Sequence, residues 1–156
     1  MASYFTAGYD FPIFGHASVG PVVTLTTANV DVNQFDESGA GSANLRIGSQ
    51  KRRSEVWGIG VRASATFGAW TPWLRITADK ERRDDARFVT ASPLSLATGN
   101  TYELPAYRAD NNFVTTNIGI NGLLAPNIAL GVAYYKLSSR TGIKEDGIAG
   151  TLSVKF

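Results

Sequence analysis

Hydrophobic and polar positions alternate with a period of two along most of the chain. The clearest stretch runs from Glu55 to Phe67. Trp57, Ile59, Val61, Ala63, Ala65 and Phe67 share one phase; Val56, Gly58, Gly60, Arg62, Ser64 and Thr66 share the other. A strand with this pattern has one apolar face and one wet or tightly packed face. The same rhythm recurs over residues 3–11, 17–27, 72–79, 114–122, 128–134 and 148–156. Leu74 and Ile76 alternate with Arg75 and Thr77, and Ile118 and Ile120 with Asn117 and Gly119. Leu130 and Val132 alternate with Ala129 and Gly131.

Short and long connections alternate between these strands. Short turns fall at 11–15, 68–72 and 124–127, and longer polar stretches at 33–42, 80–112 and 138–146. A membrane barrel has short periplasmic turns and long outer loops in this order. Phe11, Phe14, Phe67, Trp70 and Trp73 flank the short turns and predict an interfacial girdle. In the long stretch 80–112, Asp84-Asp85, Ser92-Pro93 and Thr98-Gly99-Asn100 are turn formers and predict a protruding hairpin. The segment 43–54 allows two outcomes. Either 43–67 is one long strand with a hydrophilic upper half, or Lys51-Arg52-Arg53 is a hairpin tip. The first gives seven strands and the second eight.

Composition narrows the class. Sixteen glycines, 11% aromatic and only 18% charged residues suit a barrel with a crowded interior and an aromatic interface. The net charge of +2 argues against a nucleic-acid partner. The absence of cysteine removes a disulfide framework and thiolate metal sites. No run is long and apolar enough for a transmembrane helix. Met1-Ala2 leads straight into a strand pattern, as expected of a mature segment rather than a secretory leader.

Candidate chemistry is sparse. His16 is the single histidine, with Ser18 and Asp10 near it in sequence, but no nucleophile elbow accompanies them. Rim placement beside a turn is the expectation. The acid pairs Asp84-Asp85 and Glu145-Asp146 fall in expected outer loops, where solvation is the ordinary role of such pairs. Lys51-Arg52-Arg53 and Arg82-Arg83 stand at strand ends, placed either to meet lipid phosphates or lipopolysaccharide or for loop solubility. Arg62, Arg75 and Asp79 lie on the polar phase of apolar strands. They are expected to face a lumen, each Arg paired with Asp79 or another inward acid. No cofactor and no metal is called for.

Two resemblances extend this picture. Gly150-Thr151-Leu152-Ser153-Val154-Lys155-Phe156 resembles the β-signal read by the barrel assembly machinery of bacterial outer membranes, with Gly150, Leu152, Val154 and Phe156 as its positions. Gly20-Pro21, Val30-Asp31-Val32 and Phe35-Asp36-Glu37-Ser38-Gly39-Ala40 resemble, in that order, the β-domain of autotransporters. Gly48-Ser49-Gln50, Trp57 to Arg62, Thr71-Pro72-Trp73-Leu74-Arg75 and Lys80 to Asp85 continue the match. The closest flavour is the lipase/esterase autotransporters. That resemblance implies a 12-stranded barrel of nearly twice this length, with a helix through its pore. The present chain then represents a truncated translocator.

The resulting expectation is an all-β, antiparallel up-and-down transmembrane barrel over 1–156, with about eight strands, or a seven-strand part of a 12-stranded barrel. Trp57, Ile59, Val61, Leu74, Ile76, Ile118, Ile120, Leu130, Val132, Leu152 and Val154 are expected to face lipid. The implied role is anchoring and secretion of an attached passenger, without enzymatic activity of its own. Expected partners are outer-membrane lipid and lipopolysaccharide, the assembly machinery, a passenger outside this chain, and a second copy if the chain is a barrel fragment. Two rivals are a complete eight-stranded structural or adhesin barrel and a soluble lipocalin-like binder with its apolar face inward.

Overall fold

The computed structural model describes residues 1–83, 88–96, 100–106, 111–139 and 144–155. Its strands are β1 (Ala2–Gly8), β2 (Phe11–Ile13), β3 (Ala17–Val32), β4 (Phe35–Asp36), β5 (Leu45–Ile47) and β6 (Gln50–Ala65). They continue with β7 (Trp70–Glu81), β8 (Phe88–Pro93), β9 (Tyr102–Pro105), β10 (Asn112–Ala125), β11 (Ile128–Ser139) and β12 (Lys144–Val154). One short 3-10 turn, Gly41–Ala43, precedes β5.

The main sheet is antiparallel in the order β1-β3-β6-β7-β10-β11-β12, with β2 also against β3. β1 and β2 are one strand interrupted by its neighbour. Gly8 pairs with Val22 and Phe11 with Val19, so the register does not shift across the gap. Pro21 lies in the gap and has no N–H to give the ladder. Gly20, beside it, accepts a close approach: a Cβ there would stand 1.6 Å from the Tyr9 carbonyl oxygen. With β1 and β2 counted as one interrupted strand, the sheet is seven strands wide among the described residues, the smaller of the two expected counts. Lys51-Arg52-Arg53 is not a hairpin tip; these residues pair with Asp31, Val30 and Asn29 inside the β3–β6 ladder.

β3 and β6 each have 16 residues. A tilted spanning strand needs only about 9–11. The excess lies at the end opposite the short turns, where Asn29 and Asp31 replace the apolar residues of their phase and Gln50–Arg53 are polar, yet both segments stay paired. Hydropathy alternation fades there while the hydrogen-bond ladder continues, so strands predicted at 17–27 and 72–79 extend to Val32 and Glu81.

The expected hairpin in 80–112 is β8–β9. It joins the preceding long connection to make a second, four-stranded sheet in the order β4-β5-β8-β9. Phe35, Ile47, Ala91 and Tyr102 are successive partners on one of its faces; Asp36, Arg46 and Ser92 are partners on the other. Ala91 is buried. Asp84, Asp85, Thr98 and Gly99, from the same connection, lie outside the described residues.

The main sheet encloses no ordinary core. Its exposed area with the outer sheet is 11137 Å², against roughly 7,600 Å² for a closed globule of this mass. Val22 and Ala91 are the buried apolar residues among those described.

Two predictions follow from this geometry. Gly20→Ala drives a methyl into backbone and should destabilise the refolded protein by about 1–3 kcal/mol. Gly150→Ala, with its nearest neighbour 3.9 Å away, should be near neutral; denaturant unfolding compares the two. The second concerns Asp36, whose two oxygens accept hydrogen bonds from Arg46 at 2.8 and 2.9 Å. That hydrogen bond holds the carboxyl below its ordinary 3.8. A lowered folded pKa means the stabilisation is present above the unfolded value and lost as pH falls through the folded one. Amide exchange in 35–47 should therefore accelerate below pH 3.8, while the β6–β7 ladder stays protected.

Candidate functional site

The two faces of the main sheet are chemically distinct, and cross-strand register fixes which residues share each. Val23, Ile59, Ala78 and Val114 form one row of partners, and Pro21, Val61 and Ile76 another. Leu74, Ile118, Tyr134 and Ile148 form a third. These side chains are exposed: Ile59 at 67%, Ile118 at 52% and Ile148 at 79%. Leu152 and Val154 lie on the same face of β12, opposite Leu130 and Ile128. Trp57, Val61, Ile76, Ile120 and Val132 are exposed there as well.

On the other face, Thr6, Thr24, Gly58 and Asp79 form one row; Gly8, Val22, Gly60, Thr77 and Thr115 form the next. Thr24, Thr77 and Asp79 are buried. This face is the concave one. Arg75 on β7 donates from Nη1 to the Tyr4 hydroxyl on β1 at 2.7 Å, with β3 and β6 between them. A flat sheet would hold those strands about 14 Å apart with side chains parallel. Curling toward this face brings the tips together. The guanidinium also stands 5.9 Å over the Tyr4 ring.

Gly58 makes room in the middle of the curve. A Cβ there would lie 2.1 Å from Asp79 Oδ1 and 2.3 Å from Thr24 Oγ1. The missing side chain lets its neighbours lean across β6. Arg62 forms a two-pronged ion pair with Asp10, both donors at 2.8 Å. The two meet over Gly20, which is the partner of Arg62 in β3. Ser18 and Ser64 hydroxyls bond at 3.0 Å. Ser54 donates to Glu81 near the outer end of the strands. Trp73 packs on Gly119, and its Nε1 is a buried side-chain donor without a partner among the described residues. A groove of about 230 Å³ runs along this face between Tyr4, Arg75, Asp79 and Phe113.

Arg62, Arg75 and Asp79 thus share one face, as the pattern implied. Arg62 pairs with an inward acid, Asp10. Arg75 does not: it bonds the Tyr4 hydroxyl, and Asp79 accepts from Thr77 at 3.0 Å. Asp10 and Tyr4 were overlooked as partners, although both sit on the polar phase of the first strand. His16 follows the β2 turn, its ring 5.7 Å from that of Phe67. Asp10 bonds Arg62 and Ser18 bonds Ser64; neither bonds the His16 ring among the described residues. Glu145 and Asp146 lie on β12 opposite Leu137 and Lys136. No group of three potential metal ligands occurs among the described residues. Gly150, Leu152 and Val154 belong to β12, which among the described residues pairs with β11 alone; Phe156 lies outside them.

An apolar convex face on a curled antiparallel sheet defines a wall of membrane β-barrel type and reverses the lipocalin-like arrangement. The chain belongs to the autotransporter family: the autotransporter β-domain model matches residues 1–135. It is similar to esterase EstA of Pseudomonas aeruginosa and of Pseudomonas putida, 30% identical over 117 residues in each case. That match covers 74% of this chain and 18% of each relative. Lipase 1 of Photorhabdus luminescens is 24% identical over 119 residues, covering 76% of this chain and 18% of that protein. The chain therefore spans less than a fifth of the curated relatives it matches. The family is that of outer-membrane translocator barrels, in which catalysis belongs to a separate passenger.

The Arg62–Asp10 pair should be modest in worth. Its side chains keep 35% and 45% of their exposure, and a double-mutant cycle with Arg62→Gln and Asp10→Asn should give a coupling of about 0.5–1 kcal/mol in unfolding experiments.

Proposed function

We propose that this chain is part of the outer-membrane anchor and translocator of a secreted protein, with the convex face of the main sheet against lipid and the concave face lining the passage. The sidedness of the sheet is the observation that carries this. Exposed Ile59, Ile118 and Ile148 have value in hydrocarbon and none in water, while the concave threonines, arginines and acids suit a wet interior. Hydrocarbon offers no partner to a free backbone edge. β1 and β12, each paired on one side only, therefore meet further strands in the membrane. Strands of a longer protein are the favoured source, given the small share of its relatives that the chain covers; pairing with a second copy is the other route. A passenger of the esterase or lipase kind is the cargo the relatives suggest. β12, with Leu152 and Val154, is the strand offered to the barrel assembly machinery, and lipopolysaccharide with phospholipid surrounds the convex face.

Single cysteines carrying a fluorophore test the sidedness. Lipid-borne quenchers should reach positions 59, 61, 76 and 118 and should not reach 6, 115 or 117. The opposite pattern overturns the proposal. Translocation is tested separately in the longer protein that supplies the remaining strands, by placing a reporter upstream of its barrel and measuring protease accessibility on intact cells. Accessibility is expected, and it should fall when Gly58→Leu fills the concave face.

A further inference from the structure

Beyond Trp57 the convex face changes from apolar to cationic. Lys51 and Arg53 of β6 share the two-residue phase of Trp57 and Ile59. Register puts Lys80 of β7 directly opposite Trp57. All three cations are exposed, and none has a side-chain hydrogen bond or ion pair among the described residues. The acids nearby are Glu55 and Asp31. Glu55 accepts from Trp57 Nε1 at 2.9 Å and lies 3.7 Å from Arg83 Nε. Asp31 stands opposite Lys51. Positive charge is left over on this part of the wall.

Depth distinguishes the possible ligands. A tryptophan whose indole N–H is bonded to a carboxylate belongs at the hydrocarbon boundary. Same-face residues climb about 7 Å per pair along a strand, so Arg53 and Lys51 stand roughly 14 and 20 Å beyond Trp57 along β6. With a barrel tilt of about 40°, their heights are about 10 and 16 Å. Phospholipid headgroups occupy only about 5–8 Å beyond the hydrocarbon. Lys80 is at the level of such headgroups; Arg53 and Lys51 are above it. One phosphate cannot reach all three cations, whereas a sugar headgroup with several phosphates can.

We infer that Lys51, Arg53 and Lys80 form a binding site for a multiply phosphorylated glycolipid of the outer leaflet, the phosphorylated core of lipopolysaccharide. The inference rests on the convex face meeting lipid. Lys80 takes the phosphate nearest the acyl chains, and Arg53 and Lys51 take those of the sugar core.

The test is native mass spectrometry of the protein in neutral detergent. Lipopolysaccharide with a phosphorylated core, phosphatidylglycerol and inorganic phosphate are offered in turn. Retention of lipopolysaccharide at least tenfold above phosphatidylglycerol is expected, with none for phosphate alone. The combined variant Lys51→Ser, Arg53→Ser and Lys80→Ser should retain on the order of 100-fold less, about fivefold per cation near an anionic surface. The variant Lys51→Arg with Lys80→Arg should retain as the parent does. Unchanged retention in the serine variant, equal affinity for phosphatidylglycerol, or saturation by free phosphate would each overturn the site. Quenching of Trp57 by brominated phosphatidylcholine is read alongside. If the parent is quenched but shows no lipopolysaccharide preference, the site fails and the lipid-facing wall stands. If the parent is not quenched, the wall assignment fails and the site with it. Quenching preserved in the serine variant shows that it still folds and that its loss of retention is local.

Discussion

Register is the constraint on which everything else in this sheet depends. Side chains alternate faces with every residue, so a slip of one position in any ladder would carry its apolar set to the wrong side. From β3 to β12 the pairing is continuous through five interfaces, and each passes the same phase to the next strand. The two places that might break phase are managed locally. At Pro21 the ladder to β1 is interrupted without a shift. At Leu123–Ala125 the irregularity falls beside the turn, past the apolar band. A separated pair of faces, rather than a buried core, is what the sequence specifies.

The central parts of the strands were legible because both faces of each strand carry a clear signal. Trp57-Gly58-Ile59-Gly60-Val61 alternates by volume as well as polarity, and its phase transfers directly to the structure. Legibility stops where alternation stops. Asn29-Val30-Asp31-Val32 puts its polar residues on the phase that is apolar at Pro21, Val23 and Leu25, and Gln50-Lys51-Arg52-Arg53 carries polar residues on both faces, so periodicity does not mark either as the continuation of its strand. Backbone hydrogen bonds hold that region, and they leave no mark on side-chain pattern. The second sheet was missed for a related reason. β4 and β5 have two and three residues, too few to show a period, and β8, the other partner of β5, lies more than forty residues on.

Contacts on the concave face were harder still. Residue type gave the face of Arg62 and Arg75, but the partners depend on curvature and on where glycine leaves space. Asp10 meets Arg62 because Gly20 lies between them, and Tyr4 meets Arg75 because the sheet curls through three strand spacings. Asp79 has an arginine on its own strand four residues away, yet that separation is about 13 Å in extended chain. A threonine two residues away is the closer donor.

The extent of those contacts also bears on the size of the complete wall. Eight strands tilted by about 40° close on a radius of about 8 Å, and inward side chains then meet across the middle. Twelve strands give about 12 Å, where inward side chains reach neighbours a few strands away but leave the axis open. Here the side-chain bonds on the concave face join β1 to β7, the β1–β2 gap to β6, and adjacent strands. Among the described residues, none links β1 or β3 across the face to β10, β11 or β12. The curvature is that of an arc of a wider barrel. Such an arc leaves open the groove lined by Arg75 and Asp79, as the proposed passage for another polypeptide segment would require.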